Sequence, residues 1–261
     1  MRRSHVPVTV TLTIALLVGA WEAGVRLFDV PAYLLPPPSA VLKAMVDWAP
    51  SLFGHTRATA VEVGAGFLLS AALGIPIGVI IVYSKWLEQV CYVLLVVSQS
   101  VPKVALAPLF LVWLGFGLKT VVLVTFLIAF FPVVIATVVG LRSAHPDMLQ
   151  LARTLKASPL QTFWYFRLPA ALPSIFGGLK VAATLSVVGA IVAEFVGSQE
   201  GLGYLILTAN SMFQTPLSFA SIAVLSVMGL VFFYLLVWLE RVVVFWNREE
   251  ASDEPSFRLQ V

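Results

Sequence analysis

Four stretches, Ala58–Tyr83, Thr120–Leu141, Ile175–Val196 and Phe219–Trp246, are each longer than twenty residues and almost free of charge. About 20 apolar residues cross the hydrocarbon core of a bilayer as a helix. Only a helix or a closed barrel satisfies its backbone polar groups there, and continuous apolar runs of this length read as helices. The chain is 60% hydrophobic and 11% charged, where soluble domains carry roughly 25% charge. The expected fold is therefore all-α, a polytopic helical membrane protein.

Two further runs complete the reading. Val6–Trp21 follows Met1-Arg2-Arg3 with no small-x-small cleavage pattern behind it, so we expect a retained span over about 6–27. Glu22 and Arg26, at i,i+4 spacing, can pair on it. The run 87–114 is too long for one straight helix and too short for two, and Gln99-Ser100-Val101-Pro102-Lys103 interrupts it. We expect one broken span. Gln99 and Lys103 then either sit at membrane depth against protein or a water-filled pathway, or lie at the interface with Lys103 snorkelling to water.

Six spans result, at about 6–27, 58–83, 87–114, 120–141, 175–196 and 219–246, in one transmembrane domain covering 1–261. Between them, Pro36-Pro37-Pro38 breaks the chain, and Ser39 is positioned to cap an amphipathic surface helix carrying Val41, Leu42, Met45 and Trp48. Gly74 and Gly78 form a close-approach pair on the second span, Pro76 should kink it, and Glu62 is expected near headgroups at its outer end. Gly197–Leu217 reads as an outer loop carrying Asn210, and Glu194 closes the fifth span.

Charge fixes the sidedness. With Lys103 and Lys180 set aside as near or within spans, Arg2, Arg3, Lys85, Arg142, Arg153, Lys156, Arg167, Arg241, Arg248 and Arg258 fall on one side, and Arg26, Lys43, Arg57 and Lys119 on the other. The positive-inside rule puts both termini in the cytoplasm. It also accounts for the net charge of +3 without nucleic acid as a partner; membrane lipid is the implied surroundings. Cys91, the one cysteine, stands in an apolar run as a packing residue.

The remaining long polar segment, 142–174, is the informative one. Pro146 starts a short helix whose Met148, Leu151, Ala152 and Leu155 form an apolar stripe. A break is expected at Lys156-Ala157. Ser158, Pro159 and Gln161 then supply a capping box for a second helix, carrying Phe163, Trp164 and Phe166 and stopped by Pro169. The fifth span is expected to start afresh after Pro173-Ser174. Two bent helices with apolar residues suit docking into a groove on a partner, or lying flat on lipid.

This segment resembles the signature loop of ABC-importer permeases: E-A-A, three residues, G, nine residues, I-x-L-P. Gln150-Leu151-Ala152 fills the triplet, Lys156 the glycine place, and Phe166-Arg167-Leu168-Pro169 the end. Ala152, Leu168 and Pro169 match in kind, whereas Gln150, Leu151, Lys156 and Phe166 depart. Leu34-Leu35-Pro36-Pro37-Pro38-Ser39, Val101-Pro102-Lys103 through Leu109, Leu168–Pro173, and Ala193-Glu194-Phe195 with Gly201-Leu202-Gly203-Tyr204 are similar to the nitrate, sulfonate and taurine branch. Ser98–Lys103 and Ser186–Ala190 resemble permeases for riboflavin or the thiamine pyrimidine within it.

The resemblance implies a type I importer permease in a bacterial inner membrane. Its implied partners are cytoplasmic ATP-binding subunits, an extracytoplasmic substrate-binding protein and a second permease copy. Gln150, Leu151, Ala152, Lys156, Ala157, Ser158, Phe166, Leu168 and Pro169 would form the ATPase-coupling loop. Gln99, Lys103, Glu194 and Asn210 are the pathway candidates, with Lys103 and Glu194 expected at similar depth near the outer side, where they pair or line the gate. ATP and magnesium would belong to the partner, because Gly115-Phe116-Gly117-Leu118-Lys119-Thr120 lacks the glycine that a phosphate loop needs before its lysine. No cofactor and no catalytic or metal residue is expected in this chain: His5, His55 and His145 are scattered over separate segments. An ion-coupled carrier would usually show internal repeats with matched broken helices, and only one broken span is visible.

Overall fold

The computed structural model describes residues 5–84, 86, 89 and 102–248. Gln99 and Cys91 lie outside the described residues. All regular structure among the described residues is helical: α1 His5–Leu27, α2 Pro38–Asp47, α3 Ala49–Tyr83, a 3-10 turn Lys103–Leu106 leading into α4 Ala107–Leu114, α5 Leu118–Arg142, α6 Pro146–Thr154, α7 Pro159–Gly197, α8 Leu202–Ser211 and α9 Thr215–Val243. Four of these, α3, α5, α7 and α9, are long and apolar enough to cross a membrane, and the 3-10 turn with α4 makes a shorter apolar helix.

Helix α5 is the centre, flanked by α3 and α7. Small residues set these distances, since lipid supplies no hydrophobic drive between helices. A Cβ on Gly74 would lie 2.9 Å from Val133 Cγ1, and one on Gly78 2.7 Å from Thr137 Cβ, so the expected close-approach pair is the α3–α5 seam. On the other side a Cβ on Gly178 would lie 2.2 Å from Ala136 Cβ. Val121, Ala129, Val133, Ala171, Ala182 and Ala190 are sealed in these seams. Helix α9 by contrast leaves Val227, Leu230, Val231, Tyr234 and Trp238 exposed, as a lipid-facing surface would.

The structure corrects several expectations. Helix α3 starts at Ala49, nine residues before the run that marked its span, because Trp48-Ala49-Pro50 already provides a turn with proline in the first helical positions. Ser39 is not a cap; α2 starts at Pro38 after Pro37. Its hydroxyl and amide instead donate to the Glu22 carboxylate, at 2.8 and 3.0 Å, and Arg26 Nε reaches the same carboxylate at 2.7 Å. The expected Glu22–Arg26 pair therefore exists and also anchors α2. Of the surface helix, Val41 and Ala44 are buried, while Leu42 and Val46 are exposed. The outer loop contains α8, whose Leu202, Leu205, Ile206 and Ala209 are buried.

Pro169 does not stop the second short helix, and Pro173 does not start the fifth span. The chain runs as helix from Pro159 to Gly197, 39 residues. A π-type turn over Phe163–Arg167 lies immediately before Pro169 and widens the helix there. Proline in an α-helix clashes with the carbonyl four residues back; a π turn relieves that register, and Pro169 then falls in the first turn of the α segment Leu168–Gly197. At 1.5 Å per residue α7 is roughly 58 Å long against about 30 Å of hydrocarbon, so one end projects well beyond the membrane.

Candidate functional site

The projecting end of α7 and the short α6 make an elbow. His145 caps α6, its Nδ1 accepting from Asp147 N at 3.3 Å. The helix ends on Leu155, after which Lys156 takes φ +55°. Lys156 N donates to Arg153 O at 3.0 Å and Ala157 N to Ala152 O at 2.9 Å, the paired bonds of a Schellman ending. That left-handed position normally takes glycine. The residue aligned with the signature glycine thus keeps the glycine's conformation, although it is a lysine. Ser158 then caps α7: Gln161 N donates to Ser158 Oγ at 3.2 Å and Ser158 N to Gln161 Oε1 at 2.8 Å. The capping box stands as expected.

The elbow holds onto the body by a few contacts. Ala152 is 1% exposed. Phe163 packs on Tyr83 at the end of α3, ring centroids 6.3 Å apart, and Arg167 lies 5.5 Å over the same ring. Phe166, Leu168 and Pro169 are half-buried where the π turn meets the body, and Ala157 is half-buried in the bend. A small cavity of about 210 Å³ remains between Tyr83, Leu149, Arg153, Pro159 and Arg167. Most of the rest points away. Of the apolar stripe only Ala152 is buried; Met148, Leu151 and Leu155 are exposed, and so are Leu160, Trp164 and Tyr165. Gln150, Lys156 and Ser158 are also exposed. This surface is what a groove on another protein would cover.

At the opposite ends of α3 and α7 a second cluster forms. Glu194, 1% exposed, accepts from Thr59 Oγ1 at 2.7 Å and from Gly203 N at 2.5 Å. Thr59 Oγ1 in turn accepts from Leu202 N at 2.8 Å, and His55 Nδ1 from Gly201 N at 3.1 Å. Three side chains thereby satisfy the first amides of α8, donors that a helix start leaves free. A Cβ on Gly201 would sit 2.3 Å from the Glu194 carboxyl carbon, and Gly201 has φ +100°. Glu194 and the Gly201-Leu202-Gly203 run are therefore one anchoring device. Glu62, in the N-terminal half of α3, is 4% exposed and packs within hydrogen-bonding reach of Glu194.

The other pathway candidates lie apart. Lys103 Nζ lies 4.3 Å over the ring of Phe131, midway along α5, whereas Glu194 sits near the opposite-end turn that joins Gly117 N to Gly197 O. The expected Lys103–Glu194 pair does not form, because each side chain already has its own surroundings at a different depth. Asn210 Oδ1 accepts from Ser218 Oγ at 2.7 Å, tying α8 to α9. An unanticipated ion pair, Lys180 Nζ to Glu240 Oε2 at 2.8 Å, joins α7 to α9. Thr59, and the joining of His55, Thr59 and Glu62 into one cluster, were not anticipated, although their i, i+4, i+7 spacing marks one polar stripe on an apolar helix.

The chain matches the family described as binding-protein-dependent transport system inner membrane component over residues 71–245. It is 36% identical to the formylaminopyrimidine transport permease protein ThiX of Halalkalibacterium halodurans, over 96% of this chain and 100% of that protein. It is 39% identical to the riboflavin transport system permease protein RibX of Chloroflexus aurantiacus, over 90% and 89%. The putative aliphatic sulfonates transport permease protein SsuC of Bacillus subtilis is 34% identical, over 89% and 85%. Among solved structures, an amino acid ABC transporter superposes with TM-score 0.62 at 20% identity, over 76% of this chain and 96% of that one. An inward-facing form of the methionine transporter MetNI superposes with TM-score 0.64 at 16% identity, over 75% and 95%. These neighbours establish the fold. The chain belongs to the binding-protein-dependent inner-membrane permease family of ABC importers, as a translocation subunit and not an enzyme.

Proposed function

We propose that this member of the family moves a nitrogen-containing vitamin or vitamin precursor, a flavin or an aminopyrimidine, into the cell. The exposed apolar elbow on a continuous 39-residue helix carries the mechanistic part of the reading. A cytoplasmic ATP-binding subunit, holding ATP and magnesium, docks on Met148, Leu151, Leu155, Leu160 and Trp164. Closure of the ATPases pushes the elbow. Because α7 is unbroken, the push reaches Glu194 and α8 at the far side. Gln150, Leu151, Ala152, Lys156, Ala157, Ser158, Phe166, Leu168 and Pro169 shape this coupling element. Two copies of the chain line one pathway, since closed two-fold assemblies are the commonest, with both termini cytoplasmic and six spans in each. Lys103, on the half-broken segment before α4, faces that pathway.

The substrate part rests on the relatives at 36% and 39% identity named for formylaminopyrimidine and riboflavin. A sulfonate is the second reading, favoured by the 34% relative. Uptake of labelled riboflavin, aminopyrimidine and an alkanesulfonate, with ATP-binding subunit and binding protein co-expressed, tests it. ATP-dependent uptake of a flavin or pyrimidine supports the first reading. Uptake of the sulfonate alone supports the second.

A further inference from the structure

The cavity of about 210 Å³ beside the elbow is walled by two arginines, Arg153 from α6 and Arg167 from the π turn of α7, together with Tyr83, Leu149 and Thr162. No acidic side chain lines it among the described residues. Arg167 lies over the Tyr83 ring, and neither guanidinium has an ion pair or a hydrogen bond among the described residues. Both are charged at any working pH, so two like charges share one cleft without a counter-charge. Each presents a planar fork of N–H donors that matches the oxygens of a phosphate or a carboxylate. The cleft is smaller than the roughly 300–1,000 Å³ of sites that enclose a whole small molecule, but it admits a phosphate group.

Depth decides which anion. The α3–α5 seam pairs Gly74 with Val133 and Gly78 with Thr137, each 59 positions apart. The same offset brings Tyr83, the last residue of α3, level with Arg142, the last residue of α5. Helix α5 has 25 residues. At 1.5 Å per residue that is about 37 Å, against about 30 Å of hydrocarbon. Its charged end therefore stands just outside the hydrocarbon, among the headgroups, and the cleft beside Tyr83 stands in that layer. Trp164 and Tyr165 are exposed close by, as interfacial aromatics are. Leu149 and Arg153 reach the cleft from a face of α6 about 150° around the helix from Met148, Leu151 and Leu155. A protein that covers the apolar stripe does not thereby fill the cleft.

We infer that this cleft binds the phosphate of an anionic membrane phospholipid, of the phosphatidylglycerol kind, between Arg153 and Arg167. A phosphatidylglycerol headgroup brings one negative charge and no positive one. The ammonium of a phosphatidylcholine or phosphatidylethanolamine headgroup would meet two guanidiniums and, among the described lining residues, no carboxylate. Bound there, the phosphate bridges α6 and α7 beside the end of α3 and braces the elbow against the body. The inference needs only that the chain spans a membrane, and it holds whichever solute is carried.

The test is native mass spectrometry of the whole importer, released from nanodiscs of equal phosphatidylglycerol and phosphatidylcholine. Wild-type complex should retain phosphatidylglycerol in preference. Arg153→Gln with Arg167→Gln should weaken that retention about tenfold or more. Arg57→Gln with Lys119→Gln removes the same charge near the starts of α3 and α5, at the opposite end of the bundle, and should leave it unchanged. A photoreactive residue at Thr162 in the otherwise unmodified importer guards against a variant that misfolds. It should cross-link to phosphatidylglycerol, and an excess of inorganic phosphate should not suppress the product. Equal retention of the two lipids by wild type, or equal loss in both double variants, would overturn the proposal. So would a Thr162 cross-link to the ATP-binding subunit in place of lipid, which would assign the cleft to an acidic protein side chain, or its suppression by inorganic phosphate, which would assign it to the free ion.

Discussion

Replacing Lys156 by glycine should stabilise the protein, although it deletes a large side chain. Lys156 holds φ +55° at the Schellman ending of α6, with its amide bonded to Arg153 O. An L-residue in that region costs about 1–2 kcal/mol. Its side chain is exposed and has no described contact to lose. Glycine costs about 0.5–1 kcal/mol of extra chain entropy on folding. The difference leaves a gain of about 0.5–1 kcal/mol, or roughly 1–4 °C in Tm for a domain of this size. Lys156→Val, branched at Cβ, should lower Tm instead, and Lys156→Pro should cost about 3 kcal/mol locally by fixing φ near −65° and removing the donor. Thermal unfolding of the purified permease in nanodiscs reads all three. A glycine variant that melts below wild type, or a valine variant that melts with it, would refute the left-handed cap as the reason for this position.

Further outcomes follow from the seams and anchors. Gly178→Ala should destabilise by about 1–3 kcal/mol, because its Cβ meets Ala136, whereas the adjacent Gly177→Ala, with open space around it, should be neutral or slightly stabilising; thermal unfolding compares them directly. Thr59→Val should cost about 1–2 kcal/mol, since one hydroxyl both donates to Glu194 and accepts from Leu202, and hydrogen exchange should rise first at the start of α8. Lys180→Met and Glu240→Met should each be worse than the double replacement, with a coupling of about 1–2 kcal/mol in a double-mutant cycle of unfolding free energies.

The four apolar runs were legible because membrane depth demands length and low charge; α3, α5 and α7 cover three of them, and α9 covers the fourth as far as Val243, where a separate 3-10 turn, Phe245–Arg248, follows. The capping box at Ser158 and the bend at Lys156 were legible because caps and turns are local chemistry. Two prolines misled. Pro169 and Pro173 carry the usual signals for a stop and a start, but the π turn over Phe163–Arg167 accommodates the first and the packed body supports the second, so α7 runs through both. Helix α8 was hidden because two of its N-terminal caps, His55 and Thr59, come from a segment more than 140 positions away, and the third, Glu194, reaches it from the end of the preceding helix. For the same reason Glu194 read as a partner for Lys103, whereas its carboxylate accepts from Thr59 Oγ1 and Gly203 N. The Lys180–Glu240 pair spans 60 positions and left no local trace.

The central claim is that the elbow is the docking surface for an ATP-binding subunit. Site-directed cross-linking tests it most directly. A photoreactive residue placed at Leu160, which is 68% exposed, should join the permease to its co-expressed ATP-binding subunit, and Leu155→Glu with Leu160→Glu should abolish co-purification of that subunit while the permease still unfolds at the wild-type temperature. A cross-link only to lipid, with the doubly charged variant still holding the ATP-binding subunit, would contradict the account.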